Sequence, residues 1–138
     1  MSSTNLSLYQ QAIAFRKAFG LPSGYSQECF DLQCDLIDEE ADEVFEACQK
    51  FEDDPQSIHY SEELLKELAD LVFVCYQMAA MLDWDLDEAM NRVFESNMSK
   101  LDHFGKPIRR EDGKVLKGPS YKPPILTDLV LNSATQDV

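Results

Sequence analysis

The sequence predicts an all-α fold: a four-helix, bundle-type domain followed by an extended C-terminal hairpin and tail. Three observations carry this expectation. Apolar residues recur at helical spacing as far as Leu101. Most of these stretches open on a Ser or Asp suited to an N-cap and close on Gly, Pro or Asp. Beyond Gly105 the period disappears.

The first helix spans about Asn5 to Phe19, with Leu8, Ala12, Phe15 and Phe19 on one side, and Gly20-Leu21-Pro22 stops it. Ser26 is the expected N-cap of the second, which runs to about Phe51, ahead of Asp53-Asp54-Pro55. Ser61, followed by Glu63 and Leu64, opens a third that continues to about Leu82. Asp85 or Asp87 starts the fourth, ending near Leu101. Further on, Asp112-Gly113 beside Val115 is a hairpin signal, while Gly118-Pro119 and Pro123-Pro124 forbid a continuing helix. Residues 1–104 are therefore expected as a helical domain, with 105–138 as its extended C-terminal segment.

Composition narrows the function. A 138-residue chain with 44% hydrophobic residues can close one core. A net charge of −14 repels a phosphate backbone, so no nucleic-acid partner is expected. The basic residues are uneven, with seven of the twelve between Lys100 and Lys122. That region could supply phosphate contacts the acidic helices cannot. Cys29, Cys34, Cys48 and Cys75 lack C-x-x-C spacing, and three of them fall on apolar faces, so buried free thiols are expected. No secretion signal opens the chain, and the nearly apolar run Leu71–Leu82 is too short to cross a bilayer. A cytoplasmic protein without a membrane partner follows. That same run has only Gln77 as a clearly polar residue. A helix without a solvent face needs cover on several sides, which predicts subunits packing against it or a docking surface.

The acids are the informative anomaly. In the second helix Cys34, Ile37, Ala41, Val44 and Cys48 form an expected core stripe. At about 100° per residue, Glu40 and Glu43 lie roughly 60° and 120° from it, with Leu36 and Ala47 between them. Asp42 and Glu46 point away, and Glu39 is intermediate. In the third helix the stripe is Leu64, Leu68, Val72, Cys75 and Ala79, flanked by Glu67 and Asp70. Like charges three residues apart repel, and partly buried anions need compensation. Lys66 is placed on the wrong side of its helix to neutralise both pairs. Hard divalent cations would do so, and an all-oxygen donor set selects Mg²⁺, or Mn²⁺, over zinc or copper. Four carboxylates balance two such ions.

In the fourth helix the row Leu86, Met90, Val93/Phe94, Asn97, Leu101 carries an amide, with Lys100 beside it. A satisfied core asparagine is one reading; a nucleotide contact by Asn97 and Lys100 is the other.

These residues resemble a known family. Leu36-Ile37-Asp38-Glu39-Glu40-Ala41-Asp42-Glu43-Val44 with Glu67-Leu68-Ala69-Asp70 is similar to the E-E-x-x-E … E-x-x-D signature of the all-α nucleoside triphosphate pyrophosphohydrolases. That superfamily includes MazG, dimeric dUTPases and phosphoribosyl-ATP pyrophosphatase. The stretches around Asn97–Lys100, Lys106-Pro107-Ile108 and Gly118-Pro119-Ser120-Tyr121 look most like compact, single-domain MazG-like proteins of phages and bacteria.

The resemblance implies a MazG-like fold and a homo-oligomer, a tetramer favoured over a dimer, in the cytoplasm (the host's, for a phage protein). It implies two or more Mg²⁺ ions held by Glu40, Glu43, Glu67 and Asp70, with Glu39 as a further ligand or water-orienting group. The implied reaction splits a (deoxy)nucleoside triphosphate into monophosphate and pyrophosphate. The subgroup leans toward guanine nucleotides (dGTP or GTP), with a dUTP/dCTP preference as the alternative. The chain departs from two-domain MazG in having room for one unit, and it lacks a basic segment directly after the second helix.

Gln33, one helical turn before the acidic pair, and Asn97 are candidates to read a base edge. Lys100, Lys114 and Lys117 are candidates for the β- and γ-phosphates, with Tyr121 closing the site. A di-iron bundle fits poorly, because neither His59 nor His103 follows a glutamate by three. A non-enzymatic acidic helical interaction module is the remaining competitor.

Overall fold

The structure is a computed structural model and describes residues 5–131. It is mostly helical, as the periodicity requires. The elements run α1 (Leu8–Ala18), α2 (Gln27–Asp53), α3 (Ile58–Met81), α4 (Leu86–Met98), β1 (Ile108–Arg109), β2 (Val115–Leu116) and α5 (Thr127–Leu131). They fall into two compact units, Met1–Trp84 and Asp85–Val138. Among the described residues, no helix is long and apolar enough to cross a membrane.

In the first unit local signals set the ends. Ser7 caps α1 in a reciprocal box with Gln10, so the helix starts at Leu8 rather than Asn5. Gly20, at φ 61°, ends it: Leu21 N–H donates to Arg16 O and Gly20 N–H to Lys17 O, satisfying the last carbonyls. Ser26 caps α2, its Oγ accepting from Cys29 N–H at 3.1 Å. The third helix starts earlier than expected. Ser57, not Ser61, accepts from Tyr60 N–H, and Ser61 instead sits one turn inside with its Oγ donating to Ser57 O. Asp83 takes φ 59° at the end of α3 and supports the same stop that Gly20 provides, with Trp84 N–H donating to Ala79 O.

The helices α2 and α3 lie antiparallel. Lys50 meets Glu63 near the connecting turn, and Glu40 meets Glu67 and Asp70 further along. On α3 packs α1, with the Phe15 and Phe73 rings edge-on at 5.1 Å. Arg16 is buried between them and donates to Gln77 Oε1 and Pro22 O. Burial of the guanidinium lowers its pKa.

Two core stripes are rotated from their expected positions. On α2 the most buried residues are Gln33 and Ala47, while Cys34, Ile37, Ala41, Val44 and Cys48 are only half-buried. The packed face has turned toward the glutamates. On α3 Leu68 and Val72 are exposed; of the expected stripe Ala79 is buried, and the rest of the burial passes to Glu67, Val74, Tyr76, Gln77 and Met81. All four cysteines are free but half-buried rather than buried.

In the second unit Asp85 caps α4, its side chain accepting from Glu88 N–H at 3.0 Å. The helix ends at Met98, short of Leu101, because Ser99 already takes the cap position. The Asp112-Gly113 turn joins β1 and β2 antiparallel, pairing Ile108 with Leu116 and Arg109 with Val115. The tail beyond is not wholly extended, since α5 closes it. It is tied to α4: Ser96 Oγ donates to Lys122 O at 2.8 Å, and Arg92 makes a two-pronged bond to Asp128. Gly118 is required by close approach, because a Cβ there would stand 2.7 Å from Lys100 O.

Candidate metal centre and its relatives

The turned face of α2 delivers the acids. Oxygen atoms of Glu40, Glu67 and Asp70 lie within 4.8 Å of one another, offered by two helices. Glu67 is nine-tenths buried, Glu40 and Asp70 half so. The Oε2 atoms of both Glu40 and Glu67 are buried and accept no hydrogen bond. Two buried carboxylate oxygens without donors are costly unless something positive meets them.

Glu43 stands at the exposed edge of the same group. Hydrogen bonding with Glu67, together with repulsion from Glu40 and Glu67, pushes its carboxyl up to about 7. It is thus electrically part of the cluster, though not one of the three that converge most closely. Glu39 is exposed and outside that triad, and Asp42 and Glu46 face solvent as the spacing predicts.

The expectation for Lys66 is half corrected. Its Nζ lies 2.8 Å from Asp70 Oδ2 and 3.2 Å from Glu67 Oε1. A four-carbon stem lets it run along the helix axis and reach both acids of α3. Among the described residues no ion pair reaches Glu40 or Glu43. The donor set is all oxygen, strongly acidic and short of donors, which fits a hard divalent cation.

Of the expected substrate contacts, Gln33 is buried on α2, with Oε1 lacking a partner. Two helical turns, about 10 Å, separate it from Glu40. Gln77, the polar interruption in the apolar run, is buried too, and its Nε2 has no partner. The spacing missed Arg16, which shares the buried side of α1 with Ala12, one turn earlier.

In the second unit Asn97 is exposed, not a core amide. Its neighbour Ser96 takes the buried polar place, because α4 presents Ser96 to the Lys122 carbonyl. Lys117 Nζ sits 4.7 Å from the Tyr121 ring centroid, so these two expected residues do come together. Lys100 is half-buried, its carbonyl accepting from Gly118 N–H, and Lys114 lies exposed in the hairpin turn. A hollow of about 460 Å³ in this unit is lined by Glu88, Arg92, Ser96 and Lys122, none of them an expected site residue.

The profile of the phosphoribosyl-ATP pyrophosphohydrolase family matches residues 7–97, more than half of the chain. The chain belongs to that family. It is therefore a pyrophosphohydrolase of the MazG-like all-α superfamily, acting on a nucleotide through metal-dependent chemistry. The match contains Glu39, Glu40, Glu43, Glu67 and Asp70 and ends at Asn97, inside α4, so the hairpin and α5 lie beyond it. No curated protein matches the chain significantly.

Proposed function

We propose that this pyrophosphohydrolase cleaves (deoxy)nucleoside triphosphates to the monophosphate and pyrophosphate with Mg²⁺, or Mn²⁺, held by Glu40, Glu43, Glu67 and Asp70. The observation that carries this reading is the convergence of the Glu40, Glu67 and Asp70 carboxylates, two of which hold a buried oxygen without a donor. Bound there, a divalent ion lowers the pKa of water and neutralises charge developing on phosphate oxygens.

The chain's own groups do the rest. Glu67 and Glu40, fixed on two packed helices, set the donor geometry. Glu43 is poised near neutral pH and can hold or release a proton at the cluster's edge. Glu39, exposed beside the triad, accepts the proton of the attacking water. Gln33 reads a base edge, with Asn97 as a second reader. The ammonium groups of Lys100, Lys114 and Lys117 meet the β- and γ-phosphates, and Tyr121, already stacked under Lys117, closes over them. Pyrophosphate is the leaving group of attack at the α-phosphorus.

The same reading takes the chain as a cytoplasmic homo-oligomer, a tetramer before a dimer, with two or more ions per site. The apolar side of α3 supports the association. Leu8, Leu65, Leu68, Val72, Phe73 and Tyr76 line an open hollow of about 400 Å³. Residues 105–138 complete the domain rather than forming a second one. A guanine triphosphate is the favoured substrate. Phosphoribosyl-ATP is the second reading, favoured by the family match itself.

Pyrophosphate release measured over all eight NTPs and dNTPs, plus phosphoribosyl-ATP, with Mg²⁺ and with EDTA, tests these statements together. Release from at least one triphosphate, abolished by EDTA and fastest for dGTP or GTP, is the expected result. Release from phosphoribosyl-ATP alone moves the assignment to the second reading, and release insensitive to EDTA contradicts both.

A further inference from the structure

We propose that Lys66 is a resident counter-ion of the acidic cluster, which a divalent cation must displace to load the site. This rests on the reading of Glu40, Glu43, Glu67 and Asp70 as the cation site. An ordinary surface pair on a helix would join Lys66 to Asp70 alone, four residues on. Here the ammonium also lies over Glu67, whose side chain is only 11% exposed, while Lys66 itself is 66% exposed. Among the described residues, both ion pairs made by the cluster go to this one lysine.

The compensation is partial. Lys66 supplies one positive charge, and it leaves Glu40 Oε2 and Glu67 Oε2 buried and unbonded. It therefore moderates the repulsion without removing the demand for a stronger cation. A divalent ion bound by Glu67 and Asp70 would draw on the same two carboxylates that Lys66 pairs with, through Glu67 Oε1 and Asp70 Oδ2. The ammonium carries the same sign of charge as the ion, so the two repel at that distance and the lysine moves off as the ion binds. Its flexible stem, mostly in water, lets it swing out at little cost. The lysine thus weakens metal affinity in the resting protein and steadies the metal-free state.

The test titrates Mn²⁺ alone into nucleotide-free protein, followed by electron paramagnetic resonance, for wild type, Lys66→Met and Lys66→Arg. Lys66→Met is expected to bind Mn²⁺ about two- to five-fold more tightly, the range of an exposed ion pair. Lys66→Arg, which keeps the charge, stays near wild type. In EDTA, Lys66→Met melts below wild type, and saturating Mn²⁺ removes the difference. Equal or weaker Mn²⁺ binding by Lys66→Met overturns the role of the lysine alone. Absence of uptake by both proteins overturns the cation site with it.

Discussion

Two sides of α3 invert the usual rule of burial. On one, Glu67 is nine-tenths buried with a carboxylate oxygen that has no donor; on another, Leu65 is 70% exposed and Leu68 and Val72 nearly half so. A helix chosen only for the stability of one protomer would exchange them. Both sides are therefore incomplete in the same sense, each waiting for something the isolated chain does not supply. In the proposed function the acidic side takes cations, and the apolar side takes a second copy of the protein. The difference between them is chemical: the first is short of positive charge, the second of contact area.

Breaking the acidic side should produce the largest effect. Glu40→Ala or Glu67→Ala is expected to lower turnover by more than about 100-fold, since even groups one shell removed from a metal cost 10- to 100-fold. Helix content by circular dichroism should not change, because removing one acid relieves like-charge repulsion within the cluster and neither residue caps a helix. The core gives the next largest change. Met81, fully buried, should cost about 2–5 kcal/mol when cut to alanine, whereas Leu65→Ala in dilute protein should stay within about 0.5 kcal/mol. Denaturant melts of the two variants measure that contrast.

A charge on the apolar side sharpens the comparison further. Leu68→Glu or Val72→Glu should weaken self-association at least about tenfold, or about 1.4 kcal/mol, by analytical ultracentrifugation, with each protomer still folded.

The smallest effect is in pH. Glu43 is held up to about 7, above the usual carboxyl range, by Glu67 and then by Glu40. A raised acid stabilises the fold when protonated, so its contribution is full below about pH 4.5 and fades as pH rises through 7. Melting temperatures in EDTA should accordingly fall across that window, and Glu43→Gln should flatten the slope.

Much of this was legible in the sequence because it is local. The caps at Ser26 and Asp85, the stop at Gly20 and the turn at Asp112-Gly113 each depend on a few neighbouring residues, and each stands where the spacing put it. The convergence of Glu40 with Glu67 and Asp70 was legible too, from two short spacings on helices that turn back on each other. What escaped depends on partners distant in sequence. The packed face of α2 turned toward Ala47 and Gln33 because α2 packs along α3, and which face meets a partner helix no periodicity reports. Ser96 rather than Asn97 became the buried polar residue of α4 because Lys122 brings its carbonyl back. The start of α3 was misplaced because Ser57 and Ser61 are equally good caps in sequence, and only one lies where the chain turns. Lys66 reaches both acids of α3 because a helical wheel fixes where a side chain begins, not where four methylenes let it end.

Everything depends on whether α2 and α3 hold a hard cation. Calorimetric titration of Mg²⁺ into the protein with a non-hydrolysable triphosphate analogue, for wild type and Glu67→Gln, addresses it most directly. Saturable uptake by wild type, lost or greatly weakened in the variant, is the predicted result. Equal uptake by both, or none by wild type, would contradict the account.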